Sequence, residues 1–209
     1  MKAIQRKAQG ITAAVFTLVT MALAMVSVAD TKSAHQVAEE VKDQMVAIIG
    51  DREKYEAQGE GKYYAAIVGL FEPVVDFTFI ARGVMGDHAK TATEEQRQRF
   101  AEVLKGSLMG TVATYTQGLG GANQYSIAVV PPKEGDAEKT SVNVGLEVTT
   151  GESVNRLAFT MRLDKDEQWK IANMTLNGIN LGITFRAQFA QAVKKAEGNL
   201  DAAIASWSA

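Results

Sequence analysis

The run Ser141-Val142-Asn143-Val144-Gly145-Leu146-Glu147-Val148-Thr149-Thr150, followed after Gly151-Glu152 by Arg156-Leu157-Ala158-Phe159-Thr160-Met161-Arg162-Leu163, decides the fold. Apolar residues recur at every second position. That is the period of a strand with one buried face. Thr149-Thr150-Gly151-Glu152 is a turn signal between two such strands. Upstream, Tyr125, Ile127 and Val129 alternate in the same way, and Pro131-Pro132 ends them. A charged loop, residues 133–139, separates the two runs. Downstream, residues 164–167 form a turn, and Trp169 and Ile171 begin a further strand that ends near Gly178. Consecutive hairpin steps predict an antiparallel meander of about four strands.

On either side of this block the period lengthens to that of a helix. Val37, Val41, Met45 and Ile48 mark one apolar face, and residues 51–61 read as a polar turn region. Residues 63–70 look helical, with Phe71-Glu72-Pro73 as a break. The stretch 74–85 is strongly apolar and holds Asp76 and Arg82, with Gly86 as its stop. Thr93-Glu94-Glu95-Gln96 fits a capping box. Phe100, Leu104, Leu108, Val112 and Tyr115 then follow at helical spacing, and Gly118-Leu119-Gly120-Gly121 is the exit. At the far end Phe185, Phe189, Val193 and Ala196 share a face, and Leu200, Ile204 and Trp207 suit a last short helix. Helices grouped around one antiparallel sheet make an α+β domain.

The chain opens on a segment of another kind. Lys2, Arg6 and Lys7 precede an uncharged run from Ile11 to Val26, and Ser27-Val28-Ala29 offers the small residues of a cleavage site. Residues 1–29 are thus expected to be an export signal, with 30–209 as a single domain. An uncleaved anchor is the alternative, although the run is short for a span of about 20 residues. The segment takes three of the 22 basic residues and none of the 24 acidic ones, so the remainder carries 19 against 24, or −5. A mildly acidic chain gives no reason to expect nucleic-acid binding. There is no cysteine, hence no disulfide framework, no thiolate nucleophile and no lipidated cysteine.

The stock of catalytic groups is thin. His35 and His88 are the two histidines, too few for an ordinary zinc site. His35 is expected near a fraying terminus and His88 in a polar turn. The glycines at 118–121 follow a helix and not a strand, which is the wrong setting for a dinucleotide loop. Asp76 and Arg82 could form an acid–base pair in a pocket. The plainer reading is a helix cap or a structural ion pair.

Two stretches carry a resemblance. One is Val75-Asp76-Phe77-Thr78-Phe79-Ile80-Ala81-Arg82-Gly83-Val84-Met85-Gly86 with Ala92-Thr93-Glu94-Glu95-Gln96-Arg97 and Phe100. The other is Trp169-Lys170-Ile171-Ala172-Asn173-Met174, then Asn177-Gly178-Ile179-Asn180-Leu181 and Phe185-Arg186-Ala187-Gln188-Phe189. Together they resemble the MlaC family, also called toluene-tolerance Ttg2D proteins. The family usually has leucine at Met85 and tryptophan at or beside His88. It commonly has aspartate at Asn173, glutamate at Asn177, serine at Asn180 and tyrosine at Phe185.

The resemblance implies a twisted antiparallel sheet with helices enclosing an apolar pocket, a cone-like (NTF2-like) shape. It implies a non-enzymatic periplasmic phospholipid carrier that uses neither a cofactor nor ATP. Such a carrier shuttles lipid between an outer-membrane lipoprotein–porin complex and an inner-membrane ABC transporter with an anchored, ring-forming lipid-binding protein. Val144, Leu146, Phe159, Met161, Trp169 and Ile171 from the sheet, with Phe77, Ile80, Leu104 and Leu108 from helices, are the expected pocket residues. Alternation alone does not tell a filled interior from a hollow one. A small isomerase or lyase with Asp76 and Arg82 facing a pocket, or a solid-cored adaptor, remain the alternatives.

Overall fold

Five strands, β1 (Tyr125–Val129), β2 (Ser141–Thr150), β3 (Ser153–Leu163), β4 (Trp169–Leu176) and β5 (Ile179–Asn180), pair in chain order as one antiparallel meander. The computed structural model describes residues 32–119 and 124–208. The expected export signal, residues 1–29, lies outside the described residues, as do Gly120 and Gly121. The first four strands are those the alternation predicts. The fifth is added because Asn177 and Gly178 take φ of 47° and 84°, the left-handed pair that a two-residue hairpin turn requires. Asn177 also braces the turn. Its Nδ2 donates to Asn155 Oδ1 at 3.0 Å, and its Oδ1 accepts from the Arg156 N–H at 2.8 Å.

Direct pairing fixes which residues share a face. Val142 lies opposite Met161, Val144 opposite Phe159 and Leu146 opposite Leu157. On the next strand Phe159 lies opposite Met174 and Met161 opposite Ile171. One face is therefore apolar from β2 to β4. The other carries polar pairs: Thr160 Oγ1 donates to Asn143 Oδ1 at 2.8 Å, and Arg156 Nε meets Glu147 Oε1 at 3.1 Å. Thr160 faces Asn173 while Met161 faces Ile171, so Ala172 has no partner on β3. This bulge lets Ile171 and Met174, three apart, point to the same face.

Helix α1 (Ala34–Gly50) starts with a capping box in which Gln36 N–H donates to Ser33 Oγ and Ser33 N–H to Gln36 Oε1. Its buried line is Ala34, Ala38, Val41, Met45 and Ile49, while the expected Val37 and Ile48 are half-buried. The alanines decide this. With no bulk beyond Cβ, Ala34 and Ala38 let α1 settle on Val142 and Val144. His35 is accordingly buried in the first turn of α1, not in a fraying end. Residues 51–61, expected as a turn, contain the short α2 (Arg52–Ala57). It buries no residue, so periodicity could not reveal it.

Helix α3 (Lys62–Phe71) precedes α4 (Phe77–Met85), which starts three residues later than the apolar stretch suggests. Residues 74–76 instead lie along β4: Ile171 N–H donates to the Val74 carbonyl at 2.7 Å, and Asp76 N–H to the Ile171 carbonyl at 3.0 Å. The short α5 (His88–Thr91) follows. Next comes α6 (Glu94–Gln117), opened by the expected capping box of Thr93 and Gln96. Helices α7 (Leu181–Lys195) and α8 (Leu200–Ser206) each start on an asparagine cap, Asn180 and Asn199.

Among the described residues, the buried apolar side chains fall into three clusters. Phe100 and Leu104 of α6 meet Val84 and Met85 of α4, Phe189 of α7 and Ile204 of α8. Val41 and Met45 of α1 meet Tyr63 and Ile67 of α3 and Met109 of α6. The sheet's apolar face meets Ala34 and Ala38. Helices α1, α4 and α7 pack onto the strands. The long α6 packs on α3, α4 and α8 and stands back from the sheet.

Candidate functional site

The apolar face of the sheet is not uniformly covered. One row of paired residues runs from Leu146 through Leu157 and Leu176 to Ile179. Exposure climbs along it, from 7 % at Leu146 to 36 % at Leu176 and 60 % at Ile179, with Leu157 half-buried between. The neighbouring row, Val144, Phe159 and Met174, goes from fully buried to half-buried. A packed core would end such rows against another element. Here they run out toward the β4–β5 edge with their methyl groups unshielded.

Chemistry also changes along the strand direction. Toward the β2–β3 turn the same face carries Thr150 opposite Ser153 and Val148 opposite Asn155. There a broad open cleft of about 1150 Å³ separates the sheet from the end of α6, with Thr114, Tyr115 and Tyr125 among its walls. Among the described residues no charged side chain lines it. Burial pushes the Tyr125 hydroxyl up from its usual value and nearby Tyr63 adds to this; among the described residues the oxygen has no hydrogen-bond partner. The face thus passes from hydroxyls and amides at the turn to Leu157, Phe159 and Met161 further in.

The ten expected pocket residues separate into groups. Val144, Leu146, Met161 and Ile171 are buried in the sheet cluster, with Phe159 and Trp169 half-buried against it. Phe77 is half-buried against the α1/α3/α6 cluster, Ile80 against the α4/α6/α7/α8 cluster, and Leu108 against both. Leu104 is completely occluded between helices. None of the ten lines the open cleft beside Tyr125. The ten leave out Leu157, Met174, Leu176 and Ile179, which strand pairing puts on the same apolar face. Alternation marked Leu157 as apolar. Past the bulge at Ala172 the count of two no longer assigns Met174 and Leu176 to that face.

Asp76 is engaged as a structural group. Its Oδ1 accepts from the Phe79 N–H at 2.9 Å and caps α4, while Oδ2 pairs with Arg162 on β3 at 2.5 Å. Arg162 in turn lies over the Phe79 ring, 4.1 Å from its centre. The sequence offered Arg82 as partner, but Arg82 is exposed six residues on, in the last turn of α4. Asp76 and Arg82 do not form the acid–base pair considered from sequence. Among the described residues no group of three or more His, Cys, Asp or Glu side chains gathers as a metal site. None of the described helices is long and apolar enough to cross a membrane.

Comparison with known proteins adds to this geometry. The family model described as "MlaC protein" matches residues 39–209. The chain belongs to the MlaC family. It is 33 % identical over 166 residues to the toluene tolerance protein ttg2D of Pseudomonas putida, covering 77 % of this chain and 74 % of that one. The fold matches that of the phospholipid-binding protein from Ralstonia solanacearum, solved in complex with a phospholipid. The TM-score is 0.71 at 22 % identity, over 83 % of this chain and 93 % of that one. At that identity the likeness establishes the fold. An MlaC member with a five-strand antiparallel sheet and helices against its apolar face agrees with the architecture expected from sequence.

Proposed function

We propose that this MlaC protein is a non-enzymatic periplasmic carrier that holds the acyl tails of a phospholipid between the sheet and α6. The observation that carries this reading is the graded inner face, polar at the β2–β3 turn and apolar beyond it, opposite a helix that stands back from the strands. An amphipathic ligand needs that order of surfaces. Family membership and the phospholipid bound by the Ralstonia protein support it. The residues assigned to the tails are the half-buried ones, Phe159 and Trp169 from the sheet and Phe77, Ile80 and Leu108 from the helices, with Leu157 and Met174 beside them.

The energetic need is plain. Exposing one methylene to water costs about 0.8 kcal/mol. A two-chain lipid has roughly 30 of them, an upper bound of order 20 kcal/mol for a free lipid in water. An apolar interior removes most of that cost. An uncharged polar mouth leaves the head group hydrated and avoids its desolvation. The expected leader at residues 1–29 supports a place in the periplasm for the carrier. There its partners are the inner-membrane ABC transporter with its anchored lipid-binding ring protein and the outer-membrane lipoprotein–porin complex.

Native mass spectrometry of gently purified protein, followed by solvent extraction, tests the reading. A mass increment equal to one extractable phospholipid is expected. Protein that is repeatedly empty, and takes up no lipid when incubated with vesicles, overturns it.

A further inference from the structure

Beside the rising apolar row, the molecule exposes a corner that tail shielding does not use. Ile183 and Ile179, at 67 % and 60 %, are the most exposed large apolar side chains among the described residues. Ile183 sits in the first turn of α7, its N–H held by Asn180 Oδ1 at 3.1 Å. Helix α4 packs beside α7, and both start at β4: Asp76 N–H bonds the Ile171 carbonyl, and Gly182 N–H bonds Asn173 Oδ1. In its own first turn α4 exposes Phe79, at 46 %. Each helix then places an exposed arginine three residues on, Arg82 after Phe79 and Arg186 after Ile183. That spacing puts each pair on one helix face.

Along the chain, the segments that build this corner carry charge of one sign, although Lys170 on β4 also meets Asp164 at 3.9 Å. Residues 169–196 contain Lys170, Arg186, Lys194 and Lys195 and no carboxylate; residues 77–86 contain Arg82 and none. The whole chain has more acidic than basic residues, 24 against 22. Asp87 feels Arg186 and Glu94 feels Arg82, but each of these carboxylates, like Asp76, is paired with another cation. Asp76 pairs with Arg162, Asp87 with Lys90 at 2.7 Å, and Glu94 with Arg97 at 2.9 Å.

We infer that this corner docks the carrier on an anionic phospholipid bilayer. Aliphatic side chains at the front with guanidinium groups one turn behind fit a membrane surface, where the former reach the acyl boundary and the latter the phosphates. The use of such docking rests on the carrier reading, because it sets the open end of the Leu146–Ile179 row beside a lipid source. The geometry of the corner does not depend on that reading.

Co-sedimentation of the mature protein with vesicles tests the inference. Binding to vesicles of phosphatidylglycerol and phosphatidylcholine in equal parts is expected at low salt, with little on phosphatidylcholine alone and a decline as salt is raised. Arg82→Glu and Ile183→Ser should each weaken binding by about fivefold or more, with circular dichroism and lipid occupancy unchanged. Wild-type protein that ignores anionic vesicles, or variants that bind as the wild type does, overturn the inference. Concentration-dependent self-association abolished by Ile183→Ser also overturns it and assigns the corner to a second copy. Occupancy is read separately by native mass spectrometry. An empty protein that still binds vesicles sinks the carrier reading alone, and a loaded protein that does not bind them sinks the docking alone.

Discussion

Around Phe100 the helices close completely; across the interior, the sheet's inner face does not. Phe100, Phe189 and Ile204 are fully buried, and the Phe100 ring lies 4.5 Å from that of Phe189 and 5.2 Å from that of Trp207. Phe159 and Leu157 belong to an equally apolar run, yet both keep part of their surface open. The difference lies in what faces them. The α4/α6/α7/α8 cluster is filled by residues of four helices packed on one another. The sheet has α1, α4 and α7 over parts of it, and α6 held away by its own packing on α3, α4 and α8. Identical side-chain chemistry therefore makes closed core in one place and a partly open apolar wall in the other.

Truncation should separate the two regions most sharply. Phe100→Ala is expected to cost about 3–5 kcal/mol of unfolding free energy, because a fully enclosed ring leaves a cavity. Phe159→Ala should cost less than about 2 kcal/mol, since a half-open side chain loses fewer contacts, and it should lower phospholipid occupancy. Urea unfolding and native mass spectrometry measure both. Equal losses of stability would erase the contrast between a closed core and an open wall.

Enlargement should act the other way round. Leu104→Trp forces bulk into an occluded site and should cost about 1–3 kcal/mol or more through overpacking. Leu157→Trp adds bulk where there is room. It should stay within about 1 kcal/mol of the parent while reducing lipid occupancy. If Leu157→Trp instead unfolds the protein and Leu104→Trp does not, the open and closed regions have been exchanged.

The clamp at the head of α4 ties the two regions together, because α4 belongs to the closed cluster and Arg162 to the sheet. Asp76→Ala removes both the cap and the ion pair and should cost about 2–3 kcal/mol. Asp76→Asn keeps an oxygen able to cap and should cost about half as much. Chemical denaturation of the two variants beside Arg162→Gln gives the comparison. An Asp76→Asn loss equal to that of Asp76→Ala would show that the ion pair, not the cap, holds α4 to the sheet.

Local chemistry was legible in the sequence and long-range placement was not. The Thr93 box, the Asp76 cap and the alternation of β2 and β3 depend on residues a few positions apart. The Arg162 partner of Asp76 lies 86 positions away, and Arg82 was merely the nearest cation in the chain. Helix α2 was hidden because it buries nothing. Leu104 and Leu108 stand one turn apart on the same expected face, yet the first is sealed and the second lies between two clusters. Side-chain type cannot tell them apart, because the difference is set by which helix crosses α6 at each turn.

The smallest expected effect lies in the loop between β1 and β2, away from both regions. Asp136 Oδ2 accepts from the Lys133 N–H at 2.9 Å, and Oδ1 accepts from Lys139 Nζ at 2.9 Å. The backbone bond first, then the lysine, hold its carboxyl below the ordinary value of 3.8, with a weaker push from His35. A group whose folded value is depressed stabilises the native state above its unfolded value, and that contribution fades as pH falls through the folded one. Asp136 should thus add stability at neutral pH and lose it progressively below about pH 4. Asp136→Asn should lower the midpoint of thermal unfolding slightly at pH 7 and leave it closer to the wild type at pH 3. Because the loop adjoins the buried His35 end of α1, a larger shift at pH 7 would show that this loop also fixes the seat of α1 on the sheet. Equal midpoint losses at both pH values would mean that packing of the Asp136 side chain, not its charge, holds the loop.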